Sequence, residues 1–288
     1  HFDNNVMINF IENLFSGYDA TLIIEYKNSN SDKKINMRRF EKNVLSSGLL
    51  DISDLSNIEK IKLQYTSEPE IIFSKIIKGK VLKNNQDNYF SFSDFSITAD
   101  KNSLYNDVFI SIENDDIKIP NSFNKIYSPF KIMPRNIPFK NNIILSYHGE
   151  KNGAIFAYNT SKEKWVYVQE MKNDSSITNI NSGDTFSVLN EKINPKISNI
   201  FPGNNSKYNI KDLNSIYFNI MDKESGINQN SIKIYLNNVL QYYEYIPYRN
   251  LVRTTIDKNK IKDENKLKIS FEDNLGNKNN YKGLFYKE

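Results

Sequence analysis

The sequence contains no cysteine and only two histidines, His1 and His148. Without cysteine, a disulfide framework, a thiolate zinc site and a cysteine nucleophile are all excluded. A catalytic zinc site takes three protein ligands, most often including histidine, and neither histidine belongs to a His-x-His or His-x-x-x-Asp spacing. Serine catalysis would have only His148 as an internal base, and the Gly-x-Ser-x-Gly elbow is missing. We therefore expect no zinc-, cysteine- or serine-based catalytic residue.

Acidic residues and glycines give no sharper indication of catalysis. Two carboxylates suffice for glycoside hydrolysis, and this chemistry stays open because Asp and Glu are plentiful, but no particular pair stands out. The 10 glycines are not clustered, so a phosphate-cradling loop is not predicted. The interpretation that we adopt is that the chain is not an enzyme and binds no cofactor.

Long apolar runs and a strong excess of charge are also missing. No segment approaches the roughly 18 apolar residues of a membrane-spanning helix, so no membrane span is expected. With 38 basic and 34 acidic residues, the net charge of +4 is too small to indicate a nucleic-acid partner. The polar residues 1–5 do not resemble a signal peptide, and we interpret them as an internal cut or a cloning scar.

Aromatic residues are abundant, with 18 Tyr and 18 Phe, and this content favours β-structure. After residue 71, strand-like segments recur about every 8–12 residues, a spacing typical of a β-sandwich rather than of alternating strands and helices. The predicted strands of this part cover residues 90–97, 108–112, 143–147, 155–158, 165–168 and 185–189. No strand is assigned to the stretch marked by Pro120, Pro129, Pro134 and Pro138.

The first part of the chain is less regular. Residues 21–26 indicate a buried strand that forms a hairpin with residues 35–40 across a turn at 28–32. Residues 60–66 alternate between polar and apolar, which indicates a short half-buried strand. Residues 6–15 could form one short helix.

The last part gives the clearest pattern, after a boundary near Asn190–Pro195. Seven short strands in about 95 residues match an immunoglobulin-like or fibronectin type III-like sandwich. They are predicted at residues 197–201, 215–221, 231–236, 242–246, 251–256, 267–271 and 281–286. Asn237 and Asn238 suit a tight turn between two of these strands, because asparagine tolerates positive φ.

The fold prediction is therefore a mainly β protein made of tandem β-sandwich modules. The N-terminal β-rich module is expected at residues 1–89 and the central β-sandwich module at residues 90–193. The immunoglobulin-like β-sandwich module, which also resembles fibronectin type III, is expected at residues 194–288.

The run from Asp222 to Ile227 is the most informative short motif. Asp222 can cap a turn, Gly226 can take positive φ, and Ile227 can fill the core. The alternative interpretation makes Asp222, Glu224 and Asp273 calcium ligands, because calcium takes clustered carboxylate oxygens. We prefer the structural turn, and we interpret Asp273–Asn277 as a second turn of the same kind.

The densest aromatic cluster comprises Tyr242, Tyr243, Tyr245 and Tyr248. Exposed tyrosines on a sheet can stack on sugar rings, so these four residues are candidates for a glycan-binding face. Side chains alternate between the two faces of a strand, so about half of the four should lie in the core instead.

Three motifs carry a resemblance to known proteins. The segment Pro195–Tyr286 has Pro-x-Ile at its start, Asp-x-x-Ser-Gly-Ile in the middle and Asp-Asn-x-Gly-Asn before the last strand, and it resembles bacterial extracellular immunoglobulin-like modules. The preceding residues 97–107, 127–138 and 183–197 resemble the β-rich C-terminal region of lysostaphin-type zinc endopeptidases of spirochaetes and Bacteroidetes, which cut peptidoglycan cross-links. This resemblance covers residues 90–288. The zinc ligands of that family have no counterpart here, so the resemblance implies accessory architecture rather than activity.

Two functions are compatible with this resemblance. The chain is either the non-catalytic accessory region of a peptidoglycan metallopeptidase, with a peptidase domain in cis, or a stand-alone adhesion or scaffold protein that binds a cell-wall or envelope protein. Both place it in the periplasm, at the cell surface or outside the cell. The sequence before His1 would discriminate between them, since a zinc-ligand motif there supports the first function and a signal peptide or lipobox the second.

Overall fold

The computed structural model describes residues 5–12, 16–27, 31–67, 71–135, 137–150, 152–172 and 175–288. Strands account for 61% and helical turns for 4% of the residues, so the prediction of a mainly β fold is confirmed. The helical segments in the described ranges are short 3₁₀ turns at Ile52–Leu55, Pro247–Arg249 and Lys258–Lys260. None of these described helices has the length or the apolar character needed to cross a membrane.

Six antiparallel strands form the N-terminal sheet in the order β1-β4-β3-β2-β5-β6. They are β1 Asn5–Ile11, β2 Ala20–Tyr26, β3 Lys33–Glu41, β4 Val44–Asp51, β5 Ile58–Tyr65 and β6 Ile71–Ile76. The β2–β3 hairpin and the strand predicted at residues 60–66 are confirmed. Residues 28–30 of the predicted turn lie outside the described residues.

The predicted short helix at residues 6–15 is wrong where the structure describes it, because β1 occupies residues 5–11 and pairs with β4. Val6, Ile8 and Phe10 recur every second residue and pack against the N-terminal core. That period of two suits a strand, whereas a helix would scatter these side chains around its axis. Residues 13–15 of the prediction lie outside the described part.

The central unit is a sandwich of two sheets, β14-β13-β17-β11-β10-β7 and β15-β16-β12-β9-β8. Its strands are β7 Lys78–Leu82, β8 Asn88–Phe92, β9 Phe95–Ala99, β10 Val108–Asn114, β11 Phe123–Met133, β12 Ile143–Tyr147, β13 Ala154–Asn159, β14 Lys164–Tyr167, β15 Glu170–Lys172, β16 Ser175–Ile180 and β17 Thr185–Glu191. Every strand predicted in this part is present. The core lies between the sheets, where Ile97 and Leu145 of one meet Ile110 and Ile132 of the other.

The central hydrogen bonding begins before the expected module limit. β7 pairs with β10, and β8 spans the predicted limit between residues 89 and 90. At the other end, β17 stops at Glu191, just before the limit predicted between residues 193 and 194. Val81 and Phe109 of the central unit pack into the N-terminal core, so the first two units share apolar contacts.

The proline-marked stretch contains an unpredicted strand, β11, which lies between β10 and β17. Proline cannot donate to a sheet ladder and is tolerated at irregularities. Pro129 lies at such a point, where the register of β11 with β17 shifts between Tyr127 and Phe130. Pairing with β10 involves only the residues from Phe130 onward, so the missing N–H leaves that ladder intact.

The C-terminal unit pairs the sheets β18-β20-β24-β23 and β19-β26-β25-β21-β22. Its strands are β18 Lys196–Phe201, β19 Ser206–Tyr208, β20 Ser215–Met221, β21 Ile227–Leu236, β22 Val239–Gln241, β23 Glu244–Ile246, β24 Leu251–Thr255, β25 Glu264–Asp273 and β26 Lys278–Lys287. With these strands lettered in chain order as A, A′, B, C, C′, D, E, F and G, the sheets read A-B-E-D and A′-G-F-C-C′. This is the order of an immunoglobulin-like sandwich.

The C-terminal core and its tight turn follow the sequence closely. Ile216 and Phe218 of one sheet and Ile234 and Ile269 of the other are essentially inaccessible to solvent. Asn237 and Asn238 both have positive φ, 53° and 67°, and connect β21 to β22. This is the two-residue turn that the sequence predicts.

Candidate cation site

The turn between β20 and β21 has the construction expected of a structural turn. Gly226 has a φ of +83°. Its N–H donates to Asp222 Oδ2 at 2.6 Å. Ile227, the next residue, packs against the C-terminal core. Asp222 therefore caps the turn, and Gly226 supplies the left-handed backbone that the reversal needs.

Glu191, the last residue of β17, joins this turn from the central sandwich. Its side chain is buried, and the residue is only 4% exposed. Glu191 Oε2 accepts hydrogen bonds from Ser225 Oγ at 2.8 Å and from Ser225 N at 3.3 Å. The other oxygen, Oε1, is buried and has no hydrogen-bond partner among the described residues.

Three carboxylates meet at this point. One oxygen each from Glu191, Asp222 and Glu224 can be chosen so that all lie within 4.8 Å of one another. Burial, together with the neighbouring carboxyl of Asp222, raises the pKa of Glu191 from 4.5 to about 8, against the opposing effect of the Ser225 hydrogen bonds. Such a group of oxygens can share a proton or coordinate a hard cation.

Asp273, the third residue of the alternative calcium interpretation, is not part of this group. It is fully buried, and Oδ1 accepts from the N–H groups of Leu275 and Asn277 at 2.8 and 2.9 Å. Oδ2 accepts from Asn277 Nδ2 at 2.7 Å. Asp273 is thus occupied by its own turn, while the structure brings Asp222 and Glu224 together with Glu191, which the sequence analysis did not single out.

The turns at 222–226 and 273–277 are bonded to each other and face the central sandwich. Asn274 donates from Nδ2 to Ser225 O at 2.7 Å and from its backbone N to Gly226 O at 3.0 Å. Leu275 packs against a buried cluster of the central unit. That cluster comprises Phe123, Ala154, Phe156, Trp165 and Leu189. Burial and the charge of Asp273 raise the pKa of Tyr167, which places a central tyrosine beside the C-terminal turn.

The four tyrosines divide between core and surface. Tyr243 and Tyr245 pack against the C-terminal core, and Tyr243 also donates to Gln229 O at 2.8 Å. Tyr242 and Tyr248 are 96% and 81% exposed. Tyr242 lines an open groove of about 440 Å³ together with the Glu244–Arg253 ion pair. The groove therefore combines one free aromatic ring with charged side chains.

His148 has a hydroxyl partner that the sequence does not reveal. Its Nε2 lies 2.8 Å from Ser96 Oγ, because β9 and the end of β12 are neighbours in one sheet. Ser96 is only 3% exposed, so a substrate carbonyl cannot reach its Oγ without opening the sheet. In this arrangement the pair is a hydrogen bond of the fold rather than an accessible nucleophile and base.

No protein-family model matches this chain, and no curated protein matches it in sequence.

Proposed function

We propose that this chain is a non-catalytic interaction region of a bacterial cell-envelope protein, located in the periplasm, at the cell surface or outside the cell. It presents the outer edge of the C-terminal immunoglobulin-like sandwich to an envelope component. Its sequence resemblance to the accessory region of peptidoglycan metallopeptidases suggests that a peptidase domain in cis is the part that it positions. The observation that carries the proposal is the exposed groove beside Tyr242.

The groove has the composition of a carbohydrate-binding surface. Tyr242 is almost fully exposed, although a ring of this size is normally covered in part by its own protein. The Glu244 carboxylate and the Arg253 guanidinium, 2.6 Å apart, lie at the same groove. An aromatic face can pack against the apolar face of a sugar ring while such charged groups bond its hydroxyls. The glycan strands of peptidoglycan offer both features.

The junctions between the units support a positioning role. Val81 and Phe109 pack into the N-terminal core, and Leu275 packs against the central unit. Apolar contacts at both junctions restrict the movement of the units against one another, which supports a role in positioning the groove relative to a peptidase domain in cis. Restricted movement between the units is useful to a region whose role is to present a binding surface.

Sedimentation with purified peptidoglycan sacculi tests the proposal. We expect the full chain to pellet with sacculi and the Tyr242→Ala variant to lose most of that binding, because the exposed ring contributes the stacking surface. Tyr105→Ala is the matched control, since Tyr105 is an exposed tyrosine of the central unit at 63%. A chain that stays in the supernatant, or equal losses in both variants, would contradict the assignment of this groove.

A further inference from the structure

We infer that Glu191, Asp222 and Glu224 form a binding site for a divalent cation of the calcium type at the junction between the central and C-terminal sandwiches. The three residues come from both units. Glu191 ends β17 of the central sandwich, and Asp222 and Glu224 lie in the β20–β21 turn of the C-terminal one. The inference is independent of the glycan groove, which lies at β23 and β24.

The first support is a buried carboxylate oxygen with nothing to bond. Glu191 Oε1 has no hydrogen-bond partner among the described residues, although the side chain is buried and its other oxygen is bonded to Ser225. An ionised Glu191 would leave this oxygen buried without a donor at a cost of several kcal/mol, so the oxygen requires either a proton shared with Asp222 or a cation. Native structures seldom leave such an atom orphaned, and an ion is one of the recognised partners that satisfy it.

The second support is the absence of a compensating cation from the protein within the described ranges. Among the described residues, no lysine or arginine forms an ion pair with Glu191, Asp222 or Glu224, although such residues are numerous in the chain. Three carboxylates without a basic partner repel one another unless a proton or a cation lies between them.

The ligand type and the geometric tolerance of calcium favour it over magnesium and zinc. Two ligands on opposite sides of Ca²⁺ are about 4.6–5.2 Å apart, since each bond is about 2.3–2.6 Å. For Mg²⁺ the same span is only about 4.0–4.2 Å, because its bonds are about 2.0–2.1 Å and its octahedron is nearly rigid. Oxygens that lie within 4.8 Å of one another fall inside the span of calcium ligands, and calcium tolerates an irregular arrangement of them, whereas magnesium demands a near-ideal octahedron. An all-oxygen ligand set also disfavours zinc, which prefers nitrogen and sulfur.

A bound cation would act as a bridge between the two sandwiches. At present the polar contact between them at this point is the Glu191–Ser225 pair, which lies beside the apolar contact of Leu275. An ion held by Glu191 on one side and by Asp222 and Glu224 on the other adds a charged link in parallel with both contacts. Opening the junction would then require loss of the ion or exposure of its ligands.

The competing explanation of the cluster is a shared proton between Glu191 and Asp222. Two measurements on the chelator-treated full chain distinguish a bound cation from a shared proton. The first is titration calorimetry with CaCl₂ and with MgCl₂, and the second is thermal unfolding at constant ionic strength with CaCl₂ at about 10 mM. That concentration exceeds the roughly 10⁻⁴–10⁻³ M dissociation constants of many extracellular calcium sites. We expect one calcium ion per chain, weaker binding of magnesium, and a rise of a few degrees in the unfolding midpoint.

Three variants locate the response. Glu191→Gln and Glu224→Gln should each abolish the calcium response. No described hydrogen bond or ion pair involves Glu224, so Glu224→Gln tests the site without removing a contact of the fold. Glu264→Gln is the control, because Glu264 lies at the opposite end of β25 from the turn at 273–277. The inference is overturned if the wild type binds no calcium, or if Glu224→Gln keeps the full calcium response. In the first case, a Glu191→Gln variant that is at least as stable as the wild type indicates a shared proton.

Discussion

Replacing Gly226 with valine tests whether the β20–β21 turn depends on its backbone conformation. Gly226 has a φ of +83°, and a Cβ added there would have Asn274 Nδ2 as its nearest neighbour, at 3.5 Å. That distance is an ordinary van der Waals contact, so a Cβ atom fits at this position. The cost of Gly226→Val is therefore the strain of a β-branched residue in the left-handed region, about 1–3 kcal/mol.

The same backbone argument predicts a smaller effect for Gly226→Asn, the matched control. Asparagine adopts the left-handed region far more readily than valine, and eight described non-glycine residues of this chain, five of them asparagine after residue 198, have positive φ. For a unit of about 95 residues, 1 kcal/mol lowers the unfolding midpoint by roughly 4–8 °C. We thus expect Gly226→Val to lose at least that much and Gly226→Asn to lose less.

The assay is hydrogen exchange with mass spectrometry in the presence of a chelator, which separates this effect from any bound cation. Protection of β20 should fall in Gly226→Val, whereas β12, in the central sandwich, serves as an internal reference. Calorimetry of the full chain gives the accompanying shift in midpoint. Equal losses for Val and Asn, or no loss for either, would refute the backbone argument. A loss that appears only with calcium present would assign Gly226 to the cation site instead.

Two further predictions concern activity and pH. The chain alone should release no muropeptides from sacculi. Stoichiometric binding of zinc, together with muropeptide release that a chelator abolishes, would contradict this prediction. Acid should destabilise the N-terminal sheet through Glu12, which is 5% exposed. Burial raises the pKa of Glu12, but hydrogen bonds from Arg39, Ser16 and Tyr65 outweigh burial and hold the pKa below 4.5. The stabilisation by Glu12 is present above the pKa of the unfolded state and is lost as the pH falls through the pKa of the folded state. In the Glu12→Gln variant, the hydrogen-exchange protection of β1 and β2 should therefore depend less on pH in the acid range.

The strands of the central and C-terminal units could be predicted because their signal is local. β20 shows it well, since Ile216, Phe218 and Ile220 alternate with partly or fully exposed residues and the structure buries all three. The turn at Asn237 and Asn238 is equally local, because its backbone preference belongs to the two residues themselves. Where one face of a strand is buried and the other is not, a period of two is sufficient.

Other elements depend on contacts that the sequence does not display. β1 is short, and its alternation becomes decisive only once β4 lies beside it. β11 is obscured by Pro129, whose position at a register shift is a property of the pairing with β17. Five of the seven residues of β17 are fully buried in succession, so the inward direction of Glu191 could not be read from its period.

The carboxylate cluster illustrates the limit for sites. Asp222 and Glu224 are neighbours in the chain, and the calcium interpretation therefore found both. Glu191 lies 34 positions before Ser225, its hydrogen-bond partner, and belongs to a different sandwich. The calcium interpretation includes Asp273 as a third carboxylate, yet its oxygens accept hydrogen bonds within its own turn. The presence of acidic residues in two neighbouring turns therefore does not predict which of their oxygens are available to a cation.

The parallel pairing of β19 with β26 gives the C-terminal sandwich a defined response to mechanical tension. Ser206–Tyr208 runs alongside Phe285–Lys287 in the same direction, and the flanking backbone bonds Asn205 N to Leu284 O and Glu288 N to Tyr208 O extend the contact. Tension applied to the two ends of this sandwich slides these strands past each other, so the bonds across them are loaded together. An antiparallel hairpin pulled from its open end would instead release its bonds one after another. This edge is therefore suited to carry load along the chain.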